Sequence, residues 1–158
     1  MTKYNTFDIL LGKLGHLPGG YDTPGEEEFI FDELSRFEKD SSFLEVGSAT
    51  GRTTVLVCKA AENAGGRVSF VPEMCDQAAF TNAMQLFECT NIRGIDPDSK
   101  LNYDALVVHA EQVPQERLDK LLEDNNYGRA YFYKLGTKVV PFDKKDLKQE
   151  GQFTIWGK

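Results

Sequence analysis

The run Glu45-Val46-Gly47-Ser48-Ala49-Thr50-Gly51 contains the residues of this chain best suited to hold a ligand. It follows a short apolar stretch, Phe43 to Val46, and precedes a helix-like segment, Arg52 to Asn63, so it lies at a strand-to-helix junction. Glycine at 47 permits a tight turn and close approach of a ligand to the backbone, and the amides near Gly51 and Arg52 sit at a positive helix start. Glu45 brings a carboxylate to the same crevice. A P-loop needs G-x-x-x-x-G-K-[ST], whereas Gly47 to Thr53 is one residue short and has arginine in place of lysine. A dinucleotide fingerprint needs G-x-G-x-x-G, and that spacing fails too. What remains is a helix-opening turn, either a ligand cradle or a plain α/β connection. Arg52 suggests an anion nest, but the charge of Glu45 repels phosphate.

A second candidate group, His109-Ala110-Glu111-Gln112, follows the strand-like Tyr103 to Val108. An imidazole with an ordinary pKa near ~6.5 suits a general base acting on a hydroxyl or amine. The alternative is a histidine hydrogen-bonded at the rim of a sheet. One carboxylate beside one imidazole is a poor magnesium site, and no metal is expected. Cys58, Cys75 and Cys89 are widely spaced with no C-x-x-C pair, which predicts small buried thiols rather than disulfides or zinc ligands.

These groups require elements to position them. Phe7, Leu10, Leu11 and Leu14 predict a short helix, closed by Gly15 and Pro18-Gly19-Gly20. Asp22-Thr23-Pro24 caps a second helix ending between Arg36 and Lys39. After the glycine turn and its helix, Arg67 to Val71 reads as a strand, and Asp76 caps a helix with Phe80, Ala83, Met84 and Phe87 on one face. Ile92 to Ile95 and Tyr103 to Val108 are further strands, and Pro114 opens a helix that Tyr127-Gly128 ends. Ala130 to Leu135, Lys138 to Val140 and Phe153 to Trp156 complete the pattern as three closing strands. Alternating strands and helices predict an α/β fold with a mostly parallel central sheet.

At 158 residues, with 41% hydrophobic and 27% charged residues, the chain is expected to form one domain: N-terminal helices over 1–40 and a sheet core over 43–158. A net charge of −7 argues against a nucleic-acid partner. Lys134, Lys138, Lys144, Lys145 and Lys148 are interrupted by Asp143 and Asp146, and read as a solvated face. With no secretory pattern at the N-terminus and no apolar run near membrane-spanning length, the expectation is a cytoplasmic protein outside the membrane.

Three segments together resemble class I S-adenosylmethionine-dependent methyltransferases of the small-molecule O-methyltransferase type: Tyr21 to Glu27, Phe43 to Thr54 and Tyr103 to Glu111. The resemblance covers most of the chain up to about residue 125. It implies a three-layer Rossmann-like fold, S-adenosylmethionine as cofactor, and methyl transfer to a small or exposed oxygen or nitrogen nucleophile. It further implies that Glu45, Gly47, Ser48 and Gly51 hold the cofactor and that His109 or Glu111 faces the acceptor. Glu73, displaced by Pro72, either contacts the ribose or is a solvated turn carboxylate; Met74 either covers the adenine or is core.

The chain departs from this family in having histidine at 109, where metal-dependent members carry an aspartate, and in being short. Only seven residues separate Ile95 from Tyr103, too few for a crossover helix, which predicts a reduced set of crossovers and closing hairpins. A catalytically silent member binding a nucleoside-like ligand or a protein partner is the alternative. An exposed edge strand in the trimmed sheet makes a homodimer a further expectation.

Overall fold

The computed structural model describes residues 6–47, 49–71, 76–96, 102–124 and 126–157. Helix α1 spans Phe7–Leu14 and α2 spans Pro24–Ser35. Strand β1 (Ser42–Val46) leads through the glycine turn to α3 (Arg52–Asn63), then β2 (Arg67–Phe70) and α4 (Gln77–Leu86). They are followed by β3 (Ile92–Gly94), β4 (Asn102–His109), α5 (Gln115–Asp124), β5 (Asn126–Tyr133), β6 (Leu147–Glu150) and β7 (Phe153–Gly157). The predicted caps form: Thr23 accepts from the Glu26 amide with Pro24 in the first turn, and Asp76 accepts from the Ala79 amide.

The seven strands make one sheet in the order β3-β2-β1-β4-β5-β7-β6. The first five are parallel and β7 runs antiparallel between β5 and β6. This is the expected mostly parallel α/β sheet. Phe43, Val68, Ala105 and Val107 face α1 to α4, whereas Leu44, Leu106, Val108 and Ala130 face α5 with Leu118 and Leu121. Burial of both faces explains why the central strands read as continuous apolar runs. Among the described residues, no helix is long and apolar enough to cross a membrane.

Three features differ from the sequence reading. Tyr127-Gly128 does not end α5 but lies inside β5, where Tyr127 pairs with and stacks on Tyr103 at 6.2 Å. The Gly128 site suits this register, because a Cβ there would meet the Asp104 carbonyl oxygen at 3.1 Å. Residues 138–140 form no strand. The Val139 N–H donates to Gln115 Oε1 and its carbonyl accepts from Gln115 Nε2, both at 2.8 Å, so one side-chain amide satisfies what a strand neighbour would have paired. Leu147–Glu150, expected to be irregular, is the edge strand β6 instead, paired only with β7. Its Lys148, Gln149 and Glu150 are exposed, as edge strands commonly are charged.

Candidate functional site at the β1–β4 switch point

Strand order reverses between β1 and β4, since the chain proceeds outward from β1 through β2 to β3 and then returns to β4. In open parallel sheets the crevice at the carboxyl ends of such strands is where ligands bind. Gly47, just past β1, has φ +87°, and a Cβ built on it would lie 3.0 Å from His109 Cβ and 3.2 Å from the His109 carbonyl oxygen. The two strand ends therefore approach to a separation that only glycine tolerates. Ala49 (φ +47°) and Gly51 (φ +92°) continue the left-handed turn, and the Ala49 carbonyl accepts from the Asp76 amide at 2.8 Å. Gly51 serves packing: a Cβ there would meet Ala83 Cβ at 3.1 Å and Phe80 Cα at 3.2 Å on α4.

Glu45 is 2% exposed, and its Oε1 accepts from the hydroxyl of Thr54 in the first turn of α3. The carboxylate thus lies beneath the turn. Its charge reaches Tyr21, whose phenol is pushed well above its ordinary pKa by burial first and by Glu45 second. His109 is half-buried between Tyr21 (ring centroids 6.1 Å apart) and Tyr133 (5.0 Å, edge-on). Burial lowers its pKa and Lys134 adds to that effect, against the opposing charges of Glu111 and Asp22. The imidazole is therefore neutral at pH 7 and able to accept a proton.

A polar network closes the rim beyond His109. Lys134, just past β5, lies 2.8 Å from Asp22 and 3.9 Å from Glu111. Gln152, just before β7, donates to Asp22 Oδ2 at 2.9 Å and to the Tyr133 hydroxyl at 3.2 Å, and that hydroxyl also accepts from the Asp22 amide at 2.8 Å. Lys134 holds the Asp22 carboxyl below its usual range, chiefly through their hydrogen bond.

Arg52 does not face a ligand. Its guanidinium donates to both Glu27 oxygens at 2.8 Å and to the carbonyls of Leu14 at 3.1 Å and Leu17 at 2.9 Å. Thr50 donates to the Pro18 carbonyl at 2.6 Å. The turn that resembled an anion nest is used to anchor the N-terminal segment.

Gly47 and His109 are thus in contact, with Glu45 below and Glu111 outside, 62% of its side chain exposed, while Gly51 lies behind against α4. Ser48, Glu73 and Met74 lie outside the described residues. Tyr133 and Gln152 went unread in the sequence; Tyr21 and Asp22 were read only as part of the methyltransferase-like segment and the helix cap, and Lys134, read as part of a solvated face, is instead paired with Asp22. The only local signal for this group was Tyr21-Asp22 leading into the Thr23-Pro24 cap. No three His, Cys, Asp or Glu side chains form a metal set among the described residues.

No sequence-family model and no curated protein matches the chain by sequence. Solved structures match it by shape. A precorrin-6y C5,15-methyltransferase from Geobacter metallireducens aligns over 71% of this chain and 62% of its own, at 10% identity and TM-score 0.55. An O-methyltransferase from Thermotoga maritima aligns over 83% of this chain and 50% of its own, at 15% identity and TM-score 0.58. MtNAS, a nicotianamine synthase solved with S-adenosylmethionine, aligns over 95% of this chain and 71% of its own, at 17% identity and TM-score 0.57. This chain has the class I methyltransferase fold. It spans less than two thirds of the length of the precorrin enzyme and half that of the O-methyltransferase. Within that fold the Gly47 turn occupies the β1–α3 junction and His109 the end of β4. A buried carboxylate under the Gly47 turn and the start of α3 beside it fit a ligand combining cationic groups with a carboxylate, such as the methionine part of S-adenosylmethionine.

Proposed function

We propose that the chain is an S-adenosylmethionine-dependent methyltransferase acting on a small or exposed oxygen or nitrogen nucleophile. The observation that carries this reading is the Gly47–His109 approach at the β1–β4 switch point of a class I methyltransferase sheet. The cofactor, when bound, supplies an electrophilic methyl group. Gly47 and Ser48 are assigned to hold it, Gly51 fixes the turn against α4, and Glu45 provides negative potential favouring a cation over a phosphate. Glu73 and Met74 are assigned to its ribose and adenine. His109, neutral at pH 7, accepts the proton that the acceptor loses as its new bond to carbon forms. Glu111 and Lys134 orient polar groups of the acceptor at the rim. Holding the reacting atoms in line supplies much of the rate in such a transfer, so no metal is needed. A cytoplasmic location and homodimer formation belong to the same proposal.

One observation favours the silent alternative. Tyr21 is buried against His109, Tyr133 and Phe153, and Asp22 fastens the same loop to Lys134 and Gln152. An acceptor must therefore approach a half-buried His109 beside a fastened loop. Transfer of labelled methyl groups to a panel of hydroxyl and amine acceptors separates the readings. Turnover that falls strongly in His109→Ala supports the enzyme; cofactor binding without turnover across the panel supports the silent binder.

A further inference from the structure

The sheet face under α5 changes character across its width. Along one row of paired residues, Ala130 on β5, Leu106 on β4 and Leu44 on β1 are buried and apolar, and the next two are Ser69 on β2 and Arg93 on β3. Nearer the amino ends, Ser42 pairs with Arg67. Strand alternation puts all of these on one face, because Val68 and Phe70 pack on the opposite side. A parallel crossover normally lays a helix on such a face, and only seven residues, 95–101, join β3 to β4. Among the described residues no helix covers this strip, which is polar and cationic.

A cavity of about 510 Å³ opens on this strip at the amino ends of β1 to β4, the end of the sheet opposite Gly47 and His109. Among its described lining residues Arg67 and Arg93 are the charged ones; both are exposed and have no ion-pair partner among the described residues. Two uncompensated guanidiniums on neighbouring strands are unexpected in a chain of net charge −7. Asp104, in the row beyond Ser42, accepts from the Ser42 amide at 2.7 Å and lines a different cavity. Ser69 and Asn102 add neutral donors, whereas the Ser42 hydroxyl donates to Asp104 at 3.4 Å. Tyr103 also lines the cavity; it is 6% exposed, and its buried hydroxyl makes no hydrogen bond.

We propose that this cavity is a second ligand site, for the phosphate of a small phosphomonoester. Two guanidiniums on neighbouring strands match a dianion, and guanidinium forks suit phosphate oxygens. The cavity has the volume of a small-metabolite site, and its described lining residues include no carboxylate. This inference does not depend on the methyltransferase reading.

Titration calorimetry of the full chain with ribose 5-phosphate, inorganic phosphate and acetate tests it. The expected result is saturable one-to-one binding of ribose 5-phosphate, weaker binding of inorganic phosphate and none of acetate. Arg67→Gln and Arg93→Gln should each weaken it by about tenfold or more. Three results overturn the proposal: no saturable binding of either phosphate compound, equal binding of acetate, or unchanged binding in the doubly substituted chain. An unchanged urea midpoint shows that the double variant is folded. Its affinity for S-adenosylhomocysteine reports separately on the β1–β4 crevice.

Discussion

Replacing Arg52 by methionine tests what the glycine turn's arginine does. The native guanidinium makes four hydrogen bonds, two to Glu27 and one each to the carbonyls of Leu14 and Leu17. The Arg52 side chain is 15% exposed and that of Glu27 1%. Methionine fills most of the space but leaves a buried carboxylate with no cation, and breaking such a pair costs about 3–5 kcal/mol. With a urea dependence of about 2 kcal/mol per molar, the midpoint falls by roughly 1.5–2.5 M with unchanged slope. Arg52→Met combined with Glu27→Leu recovers much of the loss, because no charge is then stranded. Hydrogen exchange in Arg52→Met accelerates first in α1 and in the loop ahead of α2, which the arginine anchors. A loss below about 1 kcal/mol would refute this account, for it would mean the pair is solvated and worth no more than a surface bridge. Conversely, a variant that keeps its stability but loses phosphate binding would restore the anion-nest reading.

Further tests bear on the crevice itself. His109 titrates below its ordinary value, so the neutral form is stabilised by folding; that contribution is complete above the unfolded pKa near ~6.5 and is lost as pH falls towards the folded pKa. His109→Gln should therefore lose less stability than the native chain between about pH 7 and 5, and the imidazole proton resonances of the native protein should titrate below ~6.5; a midpoint above that value contradicts the assigned environment. Gly47→Ala places a Cβ 3.0 Å from His109 Cβ at φ +87°. It should cost about 1–3 kcal/mol in denaturant melts, and a neutral substitution would mean that the strand ends do not approach as described.

Local chemistry made the central part of the fold legible. Gly51 and Asn63 bound α3 as read, and Asp76 caps α4, because turn and cap preferences act within a few residues. Leu147-Lys148-Gln149-Glu150 carries no apolar run because β6 is an edge strand with one neighbour, so it was missed. Tyr127-Gly128 looked like a helix stop, but its conformation is fixed by pairing with Tyr103. In the site, the residues alone gave the glycine turn and His109 as separate features, joined by the family resemblance and put in contact by the sheet order. Of the N-terminal clamp, the resemblance supplied only the segment from Tyr21, not its contacts. Asp22 meets Lys134 across 112 positions and Arg52 meets Glu27 across 25, distances over which spacing carries no information.

The most direct test of the central claim is calorimetric titration of the full chain with S-adenosylhomocysteine, repeated on Glu45→Ala and on a Gly47→Val variant shown to be folded. The account predicts one-to-one binding that both substitutions weaken by about tenfold or more, corresponding to at least ~1.4 kcal/mol. Absence of heat and of any thermal shift with either S-adenosylhomocysteine or S-adenosylmethionine, or an affinity indifferent to both substitutions, would contradict it.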